Sequence, residues 1–284
     1  MKPAVTPDHS VAAAPLLAVE PTHSYEAPEY PVVISGSRYT VRYAADPSER
    51  EAALRLRYHV FNLELGEGLE SAHQAQLDED EFDAQFRHLI VVENQTRQVV
   101  GTYRVQTSCD AAKGLGFYSQ KEFDLTGIPD SVRSQSIELG RACILASHRN
   151  GRVLYLLWKA LARTLLLSDN RYLFGCASFP GTGREVASEA AKHFEAAGHM
   201  EDSFSVRVQA PYTLERNTPA EPSPDANASE STPLRIPPLI ELYLGLGARI
   251  CGGPAVDTTF NTTDFLILLD AQKLSTRNRE LFFS

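Results

Sequence analysis

The 284 residues predict a mixed α/β (α+β) domain, with one central sheet flanked by helices. Three observations carry that prediction. Runs of strand length, apolar or alternating, recur at 39–43, 88–92, 99–105, 136–145, 172–179 and 265–269. Stripes of helical period are interleaved with them, and the strongest follows the fourth run. Hydrophobic residues make up 43% of a chain without visible internal repeats, enough to bury a large core as one or two domains, and the order of the elements makes one compact domain the simplest assignment.

In order along the chain, residues 1–36 are rich in Pro, Ala and His, lack a sustained period and are expected to be disordered, leaving 37–284 as the domain. Tyr39-Thr40-Val41-Arg42-Tyr43 alternates as a first strand. Asp46-Pro47-Ser48-Glu49 then opens a helix with a capping residue and an acid in the first turn. Leu54, Tyr58, Phe61 and Leu65 form its core-facing stripe. From Glu64 to Asp83 the chain carries eight acidic residues and no Lys or Arg. A solvated loop is the ordinary reading of such a run, and a pocket wall for a cationic substrate the functional one. The runs at 88–92 and 99–105 make a hairpin around Asn94-Gln95-Thr96-Arg97, and residues 114–125 a short helical excursion.

Ser136 to Leu145 reads as a strand, followed by the polar turn Ser147-His148-Arg149-Asn150-Gly151 and a helix that buries Leu154, Leu157, Trp158, Leu161 and Leu165. A strand from Tyr172 to Phe179, a helix from Ala187 to Ala197 and a strand from Ser203 to Val208 come next. Thr213 to Pro233 is a low-complexity Pro/Ser/Glu/Ala tract, expected to be a disordered insert. Leu239 to Leu246 is a short helix, and Phe265 to Leu269 a buried last strand.

A net charge of −9 excludes a general nucleic-acid binder. The four cysteines are scattered without C-x-x-C spacing, so no metal site or disulfide framework is signalled, and reduced core thiols in a cytosolic protein are expected. The apolar stretch from Val11 to Val19 is interrupted by Pro15 and does not read as a secretory signal. No run approaches the ~18 apolar residues of a spanning helix. A cytoplasmic protein is expected, with room for peripheral contact at the inner membrane surface.

Chemistry concentrates around the strand–turn–helix at 136–167. A Gly-containing turn feeding a helix leaves the first N–H groups pointing outward, where anions such as phosphate bind. Arg152, Lys159 and Arg163 lie on one face of that helix and Arg149 just precedes it. Each cation alone reads as a solvated side chain, whereas the cluster suggests a dock for a phosphate or an acidic partner. Glu138 and Arg141, three residues apart, fall on opposite faces of their strand unless a bulge intervenes. Glu138 is then a catalytic base, acting directly or through water, or equally a structural partner of Arg104 or Arg141.

The chain resembles the ornithine-lipid N-acyltransferases (hemolysin-like), a branch of the GNAT acyltransferase superfamily related to acyl-homoserine-lactone synthases and N-acyl amino acid synthases. The resemblance rests on Arg57 with Phe61, Asp80 with Asp83, Val100-Gly101-Thr102-Tyr103-Arg104, Gly116-Phe117-Tyr118-Ser119 with Glu122-Phe123-Asp124-Leu125, and Glu138-Leu139-Gly140-Arg141. Leu157-Trp158, residues 175–179, Tyr243 to Ala248 and Asp264-Phe265 continue it. It implies a single GNAT-like catalytic domain that moves a (3-hydroxy) fatty acyl group from acyl carrier protein to the α-amine of L-ornithine, the first step of ornithine lipid synthesis. Glu138 is the implied base. Arg141 and Arg104 would hold Glu138, the acid run or the acceptor carboxylate; Asp80 and Asp83 would face the acceptor's side-chain ammonium; Arg57 and Phe61 would complete the substrate site.

Where acetyl-CoA users carry Q/R-x-x-G-x-G/A, this chain has His148-Arg149-Asn150-Gly151-Arg152-Val153. A carrier protein brings its own phosphopantetheine arm, so no cofactor is expected. An acidic carrier would dock on Gly151 and the Arg149, Arg152, Lys159 and Arg163 cluster. Transfer to another amino acid is the alternative within the same chemistry. Acyl-homoserine-lactone synthesis is disfavoured by the Phe-Tyr-Ser and Glu-Phe-Asp-Leu segments, and an idle or pore-forming role by the lack of any membrane-inserting segment.

Overall fold

The alternation in Tyr39–Tyr43 places Tyr39, Val41 and Tyr43 inside, as the period demands. The computed structural model describes residues 31–214 and 234–284. In chain order its strands are β1 (Val33–Ser35), β2 (Tyr39–Tyr43), β3 (Arg87–Glu93), β4 (Val99–Thr107), β5 (Phe123–Asp124), β6 (Ser136–Ile144), β7 (Tyr172–Pro180), β8 (Arg207–Val208), β9 (Arg249–Ile250), β10 (Ala255–Asp257) and β11 (Thr262–Asp270). The main sheet runs β1-β2-β3-β4-β6-β7-β11-β10, with β9 also on β11, while β5 pairs with β8. Every ladder in the main sheet's path is antiparallel except β6–β7.

Helix α1 (Pro47–Tyr58) starts where the sequence places it. The Asp46 carboxylate accepts from the amides of Ser48 and Glu49, and Pro47 fills the first position. The helix then widens into a π-helical stretch, His59–Leu65. That change of period breaks the expected stripe: Leu54 and Tyr58 are buried, Phe61 is half-buried, and Leu65 is 49% exposed. Helix α2 (Arg152–Leu167) follows Gly151, whose φ of 82° is the left-handed conformation that glycine adopts most readily. It lays Leu157, Trp158, Leu161 and Leu165 against the sheet, in one hydrophobic core with Tyr39, Val41 and Leu89. Helices α3 (Arg184–Ala196), α4 (Pro238–Gly245) and α5 (Thr276–Phe283) complete the layers. A second core fills the other face of β7 and β11 with Phe117, Phe123, Leu125, Phe174, Leu266 and Leu268.

The domain is thus mixed α/β with one central sheet, as expected. Several details differ. Residues 33–35 form an edge strand, so order begins before position 36; residues 1–30 lie outside the described residues. Of the predicted strand at 203–208 only Arg207–Val208 forms a ladder, with Val206 in an isolated bridge to Gly252, and β10 and α5 carry no clear period in sequence. The expected disordered insert falls, from 215 to 233, outside the described residues. Among the described residues, no helix is long and apolar enough to cross a membrane.

Candidate active site

The site begins where the sheet comes apart. The parallel pairing of β6 and β7 comprises Ser136↔Tyr172, Ile137↔Leu173 and Glu138↔Phe174, and then ends. Gly175 follows because nothing larger fits: a Cβ there would lie 2.2 Å from the Leu139 carbonyl oxygen. On its other side β6 shifts register against β4, so that Arg141 and Ala142 together face Tyr103. Arg141 has φ of 49°, the left-handed geometry of a bulge. The two strands diverge around a cavity of about 200 Å³, floored by residues 139–142 of β6 and 176–178 of β7. Phe61, Tyr118, Tyr243 and Phe260 form its walls, and its acidic and basic side chains are Glu67, Glu122, Asp264, Arg104 and Arg141.

Beneath it lies a buried charge lattice. Arg57 donates to Asp78 (2.7 Å) and to both oxygens of Asp83 (2.6 and 3.1 Å). Arg104 binds both oxygens of Asp80 at 2.7 Å and Asp83 at 3.3 Å. Arg141 forks onto Asp78 and stacks on Phe61, its guanidinium carbon 4.0 Å from the ring centroid. Burial alone would raise both carboxyls, but the guanidinium partners outweigh it and hold Asp78 and Asp83 below the ordinary carboxylate range. Arg57 is held above its ordinary value, the same two carboxylates outweighing burial. His88 is buried beside them, and burial together with the Arg57 charge depresses it from 6.5 to about 4.

This lattice corrects two expectations. Asp80 and Asp83 do not face an acceptor ammonium, because the chain's own arginines and the capping of the 81–84 turn consume their oxygens. Arg57 is likewise an interior tie, 1% exposed and away from the cavity. The third correction concerns Glu138, which is 1% exposed and does not line the cavity. Its carboxylate accepts from the Ser119 amide (2.7 Å), the Ser119 hydroxyl (2.6 Å), the Tyr118 amide (2.8 Å) and Gln106 (2.7 Å). Burial raises its pKa even against these four donors. Glu138 therefore pins the 118–121 turn; its direct link to the cavity is the amide of the lining residue Tyr118, and a second runs through Ser119, to which the Cys176 thiol donates at 3.5 Å.

Of the expected residues, Phe61, Arg104 and Arg141 do come together in the cavity. Arg149, Arg152, Lys159 and Arg163 lie on or beside α2 and do not line it. Arg149 forms a bidentate pair with Glu64, Arg152 and Arg163 are exposed, and Lys159 is half-buried.

Three carboxylates in the cavity were not singled out from sequence as site residues. Glu67 is a member of the acid run; burial and the nearby Asp264 raise its pKa. Glu122 and Asp264 face each other with Asp257 behind them, carboxylate oxygens of all three lying within 4.8 Å of one another. Burial first, then mutual repulsion, pushes Glu122 well above its ordinary value, and burial pushes Asp264 to about 6. Three converging carboxylates are also a donor set for a hard divalent cation. On the apolar side, Tyr103 and Tyr243 share a 2.6 Å hydrogen bond, and a narrower space of about 30 Å³ continues behind Leu139 and Cys176 toward Trp158, Ile267 and Leu269.

The chain is similar to several known proteins. Residues 56–159 match the family model of an acetyltransferase (GNAT) domain. The chain is 36% identical over 250 residues to an L-ornithine N(alpha)-acyltransferase of Rhodobacter capsulatus, covering 86% of this chain and 94% of that protein. An L-ornithine N(alpha)-acyltransferase of Brucella abortus is 32% identical over 245 residues, covering 84% and 86%. Among solved structures, an N-acyl amino acid synthase from uncultured soil microbes aligns with 10% identity and a TM-score of 0.46, covering 83% of this chain and 92% of that one. With a GNAT-like domain and this similarity over most of its length, the chain belongs to the L-ornithine N(α)-acyltransferase family.

Proposed function

We propose that this protein transfers a fatty acyl group from the thioester of an acyl carrier protein to the α-amine of L-ornithine. The observation that carries this reading is the parting of β6 from β7 over a cavity that holds anionic and cationic groups together. The relatives' names supply the acceptor.

The chemistry follows from the parts. An α-ammonium must lose a proton before its nitrogen attacks a thioester carbonyl. Glu67 is half-buried at the cavity, has a raised pKa and is the base in this reading, in place of Glu138. Attack forms a tetrahedral oxyanion, and backbone N–H groups pointing into the gap from the parted strand edges are its donors. Collapse expels the carrier thiol, and the amine's second proton leaves with it. Exposed Arg152 and Arg163 on α2 supply positive potential for an acidic carrier. The product would carry a fatty chain, which gives the enzyme a reason to work beside a membrane surface.

Purified protein offered a panel of amino acids, with acyl-carrier-protein and acyl-CoA donors in parallel, tests the reading. The expected result is acyl-ornithine from the carrier donor, with Glu67→Gln lowering kcat at least ~100-fold. Transfer to a different amino acid, or none to ornithine with either donor, overturns it.

A further inference from the structure

Glu122, Asp257 and Asp264 make no ion pair among the described residues, although three carboxylates meet there. The Asp257 carboxylate accepts from the amides of Thr259 (2.7 Å) and Phe260 (3.2 Å), and Asp264 accepts from the Thr262 hydroxyl at 3.2 Å. Glu122 Oε2 and Asp264 Oδ1 are buried without a hydrogen-bond partner. The cavity's arginines are committed elsewhere, Arg141 to Asp78 and Arg104 to Asp80 and Asp83. A buried cluster of carboxyls with no ion-pair partner in the chain stays partly protonated when empty and is a ready site for a cation from outside the chain.

A second, independent group indicates what kind. Arg104 is 1% exposed and its Nε also lacks a partner. That nitrogen lies 3.7 Å from where a Cβ on Gly140 would sit, and Gly140 lines the cavity floor. An unfilled cationic donor and unfilled anionic acceptors in one cavity of about 200 Å³ match a ligand bearing a carboxylate and an ammonium. Asp264 stands opposite Ser178 in the β7–β11 ladder, so the acidic wall lies one strand spacing, ~4.8 Å, beyond the β7 edge of the gap. A nucleophilic nitrogen held in the gap therefore leaves this wall to the far end of the acceptor's side chain.

Building on the acyltransferase reading above, we propose that Glu122 and Asp264, backed by Asp257, bind the terminal ammonium of a diamino acid and set the preference for a dibasic acceptor over a neutral one. The unoccupied pair shares a proton, which leaves to solvent as the ammonium enters and both carboxyls ionise. No chain cation is displaced, so the neutral isosteric variants Glu122→Gln and Asp264→Asn relieve repulsion and are expected to fold with unchanged or higher Tm.

The test is the ratio of kcat/KM for L-ornithine to that for L-norvaline, which has the same carbon skeleton without the terminal nitrogen, for wild type and both variants. The wild-type ratio is expected to exceed ~100, and each variant to lower it at least ~30-fold. A ratio unchanged in both variants, whether or not the separate rates fall, overturns the proposal, because a base or a structural prop would act on both acceptors alike. Stoichiometric divalent metal in the purified protein, with ornithine turnover abolished by a chelator, overturns it as well. Wild type that acylates neither amino acid refutes the acyltransferase reading itself, a result separate from a flat ratio. Should a variant fail to fold, the wild-type thermal shift with each amino acid and no donor decides: stabilisation by ornithine well beyond norvaline supports the pocket, and equal shifts overturn it.

Discussion

A carboxylate that already accepts four hydrogen bonds has little left to offer a substrate amine, and Glu138 is in that state. Replacing it with Gln puts an NH2 group where an oxygen accepted from backbone and side-chain donors, with only the Ser119 hydroxyl and the Gln106 amide able to turn and accept from it. The expected outcome is a loss of ~1–3 kcal/mol in chemical denaturation, with activity falling because Tyr118 and Ser119 are released. Full stability with abolished turnover would instead restore Glu138 as base. His88 gives a second expectation. Its folded-state pKa is depressed from 6.5 to about 4, so between those values the unfolded imidazole binds a proton that the folded one refuses. Its contribution to stability is therefore present above 6.5 and is lost as pH falls through about 4. The stability gap between wild type and His88→Gln should narrow by up to ~3 kcal/mol from pH 7 to pH 4, measured as urea midpoints across pH.

At the scale of elements, the strand at 39–43 was legible from its period-2 alternation, and those at 88–92, 99–105 and 172–179 from apolar runs of strand length that are buried over most of their positions. The π-helical stretch at 59–65 was not, since nothing in its local composition marks a change of helical period. Among site residues, Phe61, Arg104 and Arg141 were legible as motif members. Glu67 was hidden in an acid run where most members are solvated or tied to arginines. Glu122 and Asp264 come from a loop and from the last long strand, and only the sheet order makes them neighbours. Helix α2 carries its own test. Charge reversal at Arg152 and Arg163 should raise KM for an acyl-carrier-protein donor about tenfold, most strongly at low ionic strength, and leave turnover of a small pantetheine thioester unchanged. Equal loss with both donors would remove α2 as the dock.

For the whole molecule, the decisive feature is that one sheet holds both halves of the domain and yet parts in its middle. β1, β2, β3, β4 and β6 on one side and β7, β11, β10 and β9 on the other are joined in the main sheet by the short parallel ladder that ends at Glu138 and Phe174. Gly175→Ala would press a methyl group into the Leu139 carbonyl just where that ladder closes. A loss of ~1–3 kcal/mol in stability and a sharp fall in turnover are expected, since the strands must separate further and, in the proposed mechanism, the oxyanion donors move with them. Unaltered stability and kinetics would mean that the close approach has no role.

The brevity of that ladder has a mechanical consequence. Only three residue pairs join the two parts of the main sheet, and in the proposed reaction the open end beyond Glu138 and Phe174 is where an acyl chain would enter. The amides of residues 136–138 should then exchange with deuterium faster than those of the nine-pair β7–β11 seam, and slow once an acyl chain wedges the two parts at a fixed opening.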